Sequence, residues 1–211
     1  MAQGTLGPRG ALHIRRIKRQ SAPLAWKLAN TLRWGFLKGW IAYHLIAPFA
    51  NAWGVATMIG KLSAVVIKAD GQRIHYGTLG YRVVTTAGVG YLVDAFQNAT
   101  ELENLKYHGV GTGSTAEASG DTALVTESTT ALNPDSTRAT GSTTEGASAN
   151  IYRTVGTLTA DAQIVAREHG IFSQAATGGG TLLDRTVFAA ITLESGDSLQ
   201  TTYDLTCSAG G

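Results

Sequence analysis

The sequence predicts a mainly β protein. It reads as an antiparallel β-sandwich or jelly-roll-like body over 61–211 with one short helix, preceded by a helical, basic arm over 1–60. Three observations carry this. Short runs rich in Val, Ile, Thr and Tyr recur through the second part of the chain, separated by Gly, Ser and Asp turns. Apolar residues recur every three to four positions only near the front and once after Thr85. Charge divides the same way: 1–69 holds ten Lys or Arg and no acid. Residues 70–211 hold the other seven basic residues and all fifteen acidic ones, a balance of −8.

A chain of 211 residues is long enough for one good core plus an appendage. Apolar content of 44% suits a folded protein, and 15% charged residues is low for one that exists alone, which points to surfaces covered by other chains. The one cysteine, Cys207, excludes an internal disulfide and a Cys-based zinc cluster, and reads as a small apolar residue on a strand.

The arm opens on glycines and then packs Arg15, Arg16, Lys18 and Arg19 into five positions without an offsetting acid. Such a run calls for an acidic partner: nucleic acid, anionic lipid or a neighbouring acidic body. From Pro23, Leu28, Leu32, Phe36 and Trp40 recur every four residues and predict a helix, while Trp26, Trp34, Leu37 and Ile41 make it apolar on more than one face. All four tryptophans (Trp26, Trp34, Trp40, Trp53) fall in the arm, and tryptophan is favoured at contacts between proteins. Arg15, Arg16, Lys18, Arg19, Trp26, Trp34, Phe36, Trp40 and Trp53 are therefore the candidate partner-binding residues. Residues 39–60 carry no charged side chain and have the length of a membrane span, but His44, Pro48, Asn51 and Thr57 interrupt them, so a packed arm is favoured over a membrane anchor.

In the body, 62–86 reads as strand, turn, strand, strand, with Asp70-Gly71 as the hairpin signal. Thr85 or Thr86 caps a helix of about ten residues whose Tyr91, Leu92, Ala95 and Phe96 share a face. Further strands are expected over 105–110, 149–157, 162–172, 181–193 and 198–207, making seven or eight in all. The stretch 129–148 has almost no large apolar residue and reads as an exposed loop or a hairpin at a subunit contact.

Chemistry finds little support. The Gly109, Gly111, Gly113 run imitates a phosphate loop, but no Lys follows and no helix starts behind it, so a flexible connection between strands is expected. No G-x-S-x-G elbow is present. His13, His44, His75, His108 and His169 are scattered, with His108 and His169 on strands beside glycines as buried hydrogen-bonding residues. Asp121, Asp135, Asp161, Asp184, Asp197 and Asp204 fall at turns where Asp commonly accepts from the backbone. No catalytic, cofactor-binding or metal-ligating residue is assigned, and no enzyme is expected.

The phrases RVVTTAGVGYLVDAFQN, KYHGVGTGSTA followed by GDTAL, ASANIYRTVGTLT, EHGIF, LLDRTVF and TLESGDSLQTTYDLTC resemble, in combination, small virion structural proteins of tailed bacteriophages over about residues 62–211. The resemblance implies a non-enzymatic capsid-decorating or tail-associated β protein on the virion. It implies the major capsid protein or other virion proteins as partners, and a homo-oligomer with a trimer favoured. A tail, neck or fibre-attachment component is the nearest alternative. From another class, the basic arm would suit a DNA-binding or membrane-anchored protein. Residues 1–60 depart from the resembling pattern.

Overall fold

A computed structural model describes residues 3–6, 12–15 and 19–210, with side chains from Gln20 on, Val83 apart. The chain is mainly β, in antiparallel sheets, with helices near the front and one within the body. At the front, β1 (Gln3–Leu6) pairs antiparallel with β2 (Leu12–Arg15), and β3 (Arg19–Ser21) runs parallel to the edge of the main sheet. Three helices follow: α1 (Leu24–Thr31), α2 (Trp34–Ile41) and α3 (Ala47–Ala52). A π-helical turn, Ala42–Ile46, joins the last two into one 34–52 segment.

Two departures from expectation concern this region. The basic run is not helical where it is described, since Leu12–Arg15 and Arg19–Ser21 are strands. The four-residue repeat is also not one helix, because Arg33 adopts an extended ψ of 134° and separates α1 from α2. Local sequence gives no break there. The cause is docking: α1 lies along one strand of the body and α2 along another.

The body is built from β4 (Thr57–Ile67), β5 (Arg73–Val83), α4 (Thr86–Phe96), β6 (Tyr107–Gly111), β7 (Leu132–Asn133), β8 (Ala139–Thr140), β9 (Ser142–Glu145), β10 (Ile151–Ala160), β11 (Ile164–Phe172), β12 (Leu182–Leu193) and β13 (Ser198–Ser208). One sheet runs β3-β5-β4-β13-β10-β7 with β9 beside β10; the other runs β12-β11-β6-β8. The expected three strands over 62–86 are two long ones joined at Asp70-Gly71, where Gly71 takes the positive φ of 84° that a tight turn requires. Gly77, at φ 73°, sits at a bulge that lets β5 continue where a separate strand was expected.

The backbone of the architecture is one bent ribbon. β10 pairs with β13, β11 pairs with β12, and the partners stay in step across the corner: Thr159 faces Ser198 and Ile164 faces Leu193, five residues on along both strands. The ribbon passes from the first sheet to the second as a unit, so the inner faces of both contribute to one core. Leu62, Leu79 and Leu199 meet Ile171, Phe188 and Leu193 there, all fully buried. Each such side chain contributes about 1.5–3 kcal/mol by leaving water.

Residues 129–148 are largely exposed, as expected, but they are pinned to the body at a few points. Leu132 and Ala139 enter the core, β7 and β9 join the first sheet and β8 the second. Arg138 is buried, stacks 3.4 Å from the centre of the Phe172 ring, forks onto Glu127 at 2.6 and 2.9 Å, and donates to the Gln174 and Gly179 carbonyls. A stretch poor in large apolar residues is held by one guanidinium that uses its donors on four acceptors, from Glu127 and the 174–179 loop.

Candidate partner-binding surface

The arm is fastened to the body on one side only. Trp26 is half-buried and donates its Nε1–H to the Ala189 and Ala190 carbonyls at 3.1 and 2.9 Å, with its ring edge-on to Tyr76. Asn30 is buried; its amide donates to the Leu79 carbonyl and accepts from the Ala189 N–H. Between them these two side chains satisfy backbone groups on the outer edge of β12, so α1 covers that edge as a further strand would. α2 lies directly on β5. A Cβ on Gly39 would run into the Tyr81 carbonyl, so only glycine permits this approach. Phe36, Tyr43 and His44 then close around the Tyr81 ring, with His44 Nε2 3.4 Å from its hydroxyl.

The opposite side of the arm is apolar and uncovered. Leu24, Leu28 and Leu32 form a stripe at four-residue spacing on α1, with Leu32 81% exposed. Trp34, Leu45, Ile46, Phe49 and Trp53 continue outward along the 34–52 segment, with Trp53 73% exposed against Phe49. The candidate residues therefore divide. Trp26 and Phe36 hold the arm to its own body; Trp34, Trp40 and Trp53 face outward. Arg16 and Lys18 lie outside the described residues, as do the side chains of Arg15 and Arg19.

A second outward stripe was missed in the sequence. Phe96, grouped with Tyr91, Leu92 and Ala95 on one helical face, is 85% exposed, and Val89 and Val93 align with it. Their i, i+4, i+7 spacing was the available signal. α4 is capped as expected, with Thr85 Oγ1 accepting from the Gly88 N–H and donating to the Leu182 carbonyl.

Charge is concentrated within the body. Glu168, fully buried, accepts from the Gly113, Val125 and Thr126 N–H groups at 3.0, 3.0 and 2.7 Å and pairs with Arg185 at 2.8 Å. Arg185 also reaches Asp121 at 2.9 Å and donates to the Thr115 carbonyl. The Gly-rich loop thus does wrap an anion, but the anion is a carboxylate of its own chain, and the flexible connection expected there is tied down at five points. Glu117 from the same loop pairs with Arg82 and lies against Gly35 in the first turn of α2, where a negative charge suits the helix dipole. Between loop, α2 and β5 runs a cleft of about 840 Å³ with Arg33 and Lys38 at its lip; its Arg82 and Arg185 are already paired.

The two strand histidines meet. His108 Nδ1 lies 3.0 Å from His169 Nε2 and 2.8 Å from Thr201 Oγ1, and His108 Nε2 lies 3.1 Å from Thr154 Oγ1, which ties one sheet to the other. Burial pushes His108 down to about 3 and His169 well below the ordinary imidazole range, with its neighbour adding to the effect. Asp184, also buried, is pushed up to about 7 by loss of water and stands 3.4 Å from the Tyr203 hydroxyl. Asp184 and Asp204 lie within strands and not at turns. Asp197 does serve a turn, accepting from the Ala69 and Glu194 N–H groups; burial opposes its ionisation, but Lys68 and these donors hold it below the usual carboxylate range. Cys207 is on a strand as expected but exposed.

Among the described residues, no three His, Cys, Asp or Glu are grouped to hold a metal ion, and no helix is long and apolar enough to cross a membrane. Comparison with protein-family models, curated proteins and solved structures finds no match.

Proposed function

We propose that this chain is a virion structural protein of a tailed bacteriophage, a capsid decoration or cement protein that grips the major capsid protein through its arm. One observation carries the reading. Residues 39–60 hold no charge, yet Leu45, Ile46, Phe49, Trp53 and Val55 stand exposed along them on a segment already docked to a well-packed body. An uncharged apolar face rich in aromatics is the composition of a protein contact, and a docked helix loses little further freedom when it is covered. Weak contacts repeated over many copies on a shell become collectively strong. Within the body Glu168 pairs with Arg185 and Arg138 with Glu127, which suits a structural part.

The test is binding to particles lacking this protein, followed by co-sedimentation. Phe49→Asp with Trp53→Asp is expected to cut binding about 30-fold or more, the effect of losing contacts worth about 2–4 kcal/mol. Binding unchanged by this pair would overturn the reading. Binding of duplex DNA of any sequence, falling steeply with salt, would favour the nucleic-acid alternative instead.

A further inference from the structure

Two uncovered apolar stripes on this chain carry opposite charge. On α1, Leu24, Leu28 and Leu32 are exposed, and the 20–60 segment around them supplies Lys27, Arg33 and Lys38 and no acid. On α4 and the turn after it, Val89, Val93, Phe96 and Leu102 are exposed, and 83–105 supplies Asp94, Glu101 and Glu103 and no Lys or Arg. Each stripe lies on a helix whose other side is fixed to β12: α1 through Trp26 and Asn30, α4 through the Thr85 bonds to Leu182 and Leu183. Both are rigidly presented and both point away from the core.

We propose that the α1 stripe of one copy packs on the α4 stripe of a second copy, in a head-to-tail contact. Apolar spacing of three to four residues on both sides permits helix-on-helix packing. Charge selects the pairing. α4 against α4 would set Glu101 and Glu103, on either side of Leu102, near their own copies, and α1 against α1 would do the same with Lys27 and Arg33 beside Leu28 and Leu32. Only the mixed contact brings cations to carboxylates. A head-to-tail contact leaves one donor and one acceptor surface free at the ends, so it closes into a ring or continues as a chain.

The contact deepens the virion reading, on which its biological sense rests, but purified chain tests it without particles. The wild type is expected to assemble as concentration rises, by light scattering on a sizing column, and to dissociate with salt. Phe96→Asp alone, and Leu28→Asp with Leu32→Asp, are each expected to remain single, with unchanged melting because all three residues are exposed. Mixing the two variants is the decisive step: the intact α1 of the first meets the intact α4 of the second, giving a one-to-one pair that grows no further. A wild type that remains single at every concentration overturns the contact. So does assembly by either variant alone, which would mean like stripes pair. Should the chain assemble this way and still ignore particles, the virion reading fails and the contact stands.

Discussion

In the body, polar side chains lie inside: Glu168, Arg185, Asp184, His108 and His169 are all buried. In the arm, bulk lies outside: Trp34, Phe49, Trp53 and three leucines face water over a segment whose inward contacts are made by Gly39, Asn30, Trp26 and the Phe36, Tyr43 and His44 rings. Buried polar groups are costly unless all are satisfied, and here the partners come from segments far apart in sequence, so they tolerate one arrangement of sheets and loops. Exposed aromatics leave the fold's free energy almost unaffected and matter only when something covers them. The contrast separates residues that specify the structure from residues held ready for a partner, and it can be broken experimentally.

The largest effect is expected at Glu168. Glu168→Ala strips three backbone donors and leaves Arg185 buried with Asp121 as its remaining carboxylate partner, a change that should cost about 3–5 kcal/mol in urea unfolding. The 112–126 loop should become open to proteolysis at the same time. A cost below about 1 kcal/mol would remove the buried network from the list of what fixes the fold.

Two tryptophans sharpen the comparison within the arm itself. Trp26→Ala should cost about 2–3 kcal/mol, since it loses half-buried ring surface and leaves the Ala189 and Ala190 carbonyls short of a donor. Trp53→Ala should change folding by less than about 0.5 kcal/mol. Equal costs at the two positions would mean that the outward face contributes to folding after all.

The pH dependence follows from the buried histidines. A ring kept neutral in the folded chain but free to take a proton near 6.5 when unfolded favours unfolding as pH falls, by at most about 1.4 kcal/mol per pH unit for each ring. Asp184 acts in the opposite sense: it keeps its proton to about 7 when folded and releases it near 3.8 when unfolded, so its contribution is lost as pH rises through that window. Two rings against one carboxyl leave a net loss of about 1.4 kcal/mol per unit between pH 6 and 4. The smallest effect is expected from Asp184→Asn in acid. It should be nearly neutral near pH 4, add stability progressively as pH rises from 4 toward 7, and so steepen the acid loss toward about 2.8 kcal/mol per unit. Melting curves across pH check both, and a flat profile would contradict the neutral histidine pair.

Much of this architecture was legible because its signals are local. Alternation marked β10 to β13 to within a few residues, Asp70-Gly71 marked a turn, and Thr85 marked a helix start. What escaped depends on groups distant in sequence. Nothing near Gly113 announces that Glu168 will occupy its loop, and nothing near Arg138 announces that a Thr-rich stretch will be pinned to the body. The break at Arg33 is likewise imposed by two strands that α1 and α2 follow. The exposed tryptophans stood out by composition, but composition alone did not distinguish Trp26, spent on the body, from Trp53.

The way α1 lies on β12 has a consequence for any attempt to shorten the chain. With Trp26 and Asn30 gone, the Ala189 and Ala190 peptide groups would present open hydrogen-bonding positions at the rim of a long, largely apolar strand. Such a rim invites strands from other molecules. A front-truncated protein would then gather into insoluble material through its sheet, and loss of particle binding in that form would say nothing about recognition.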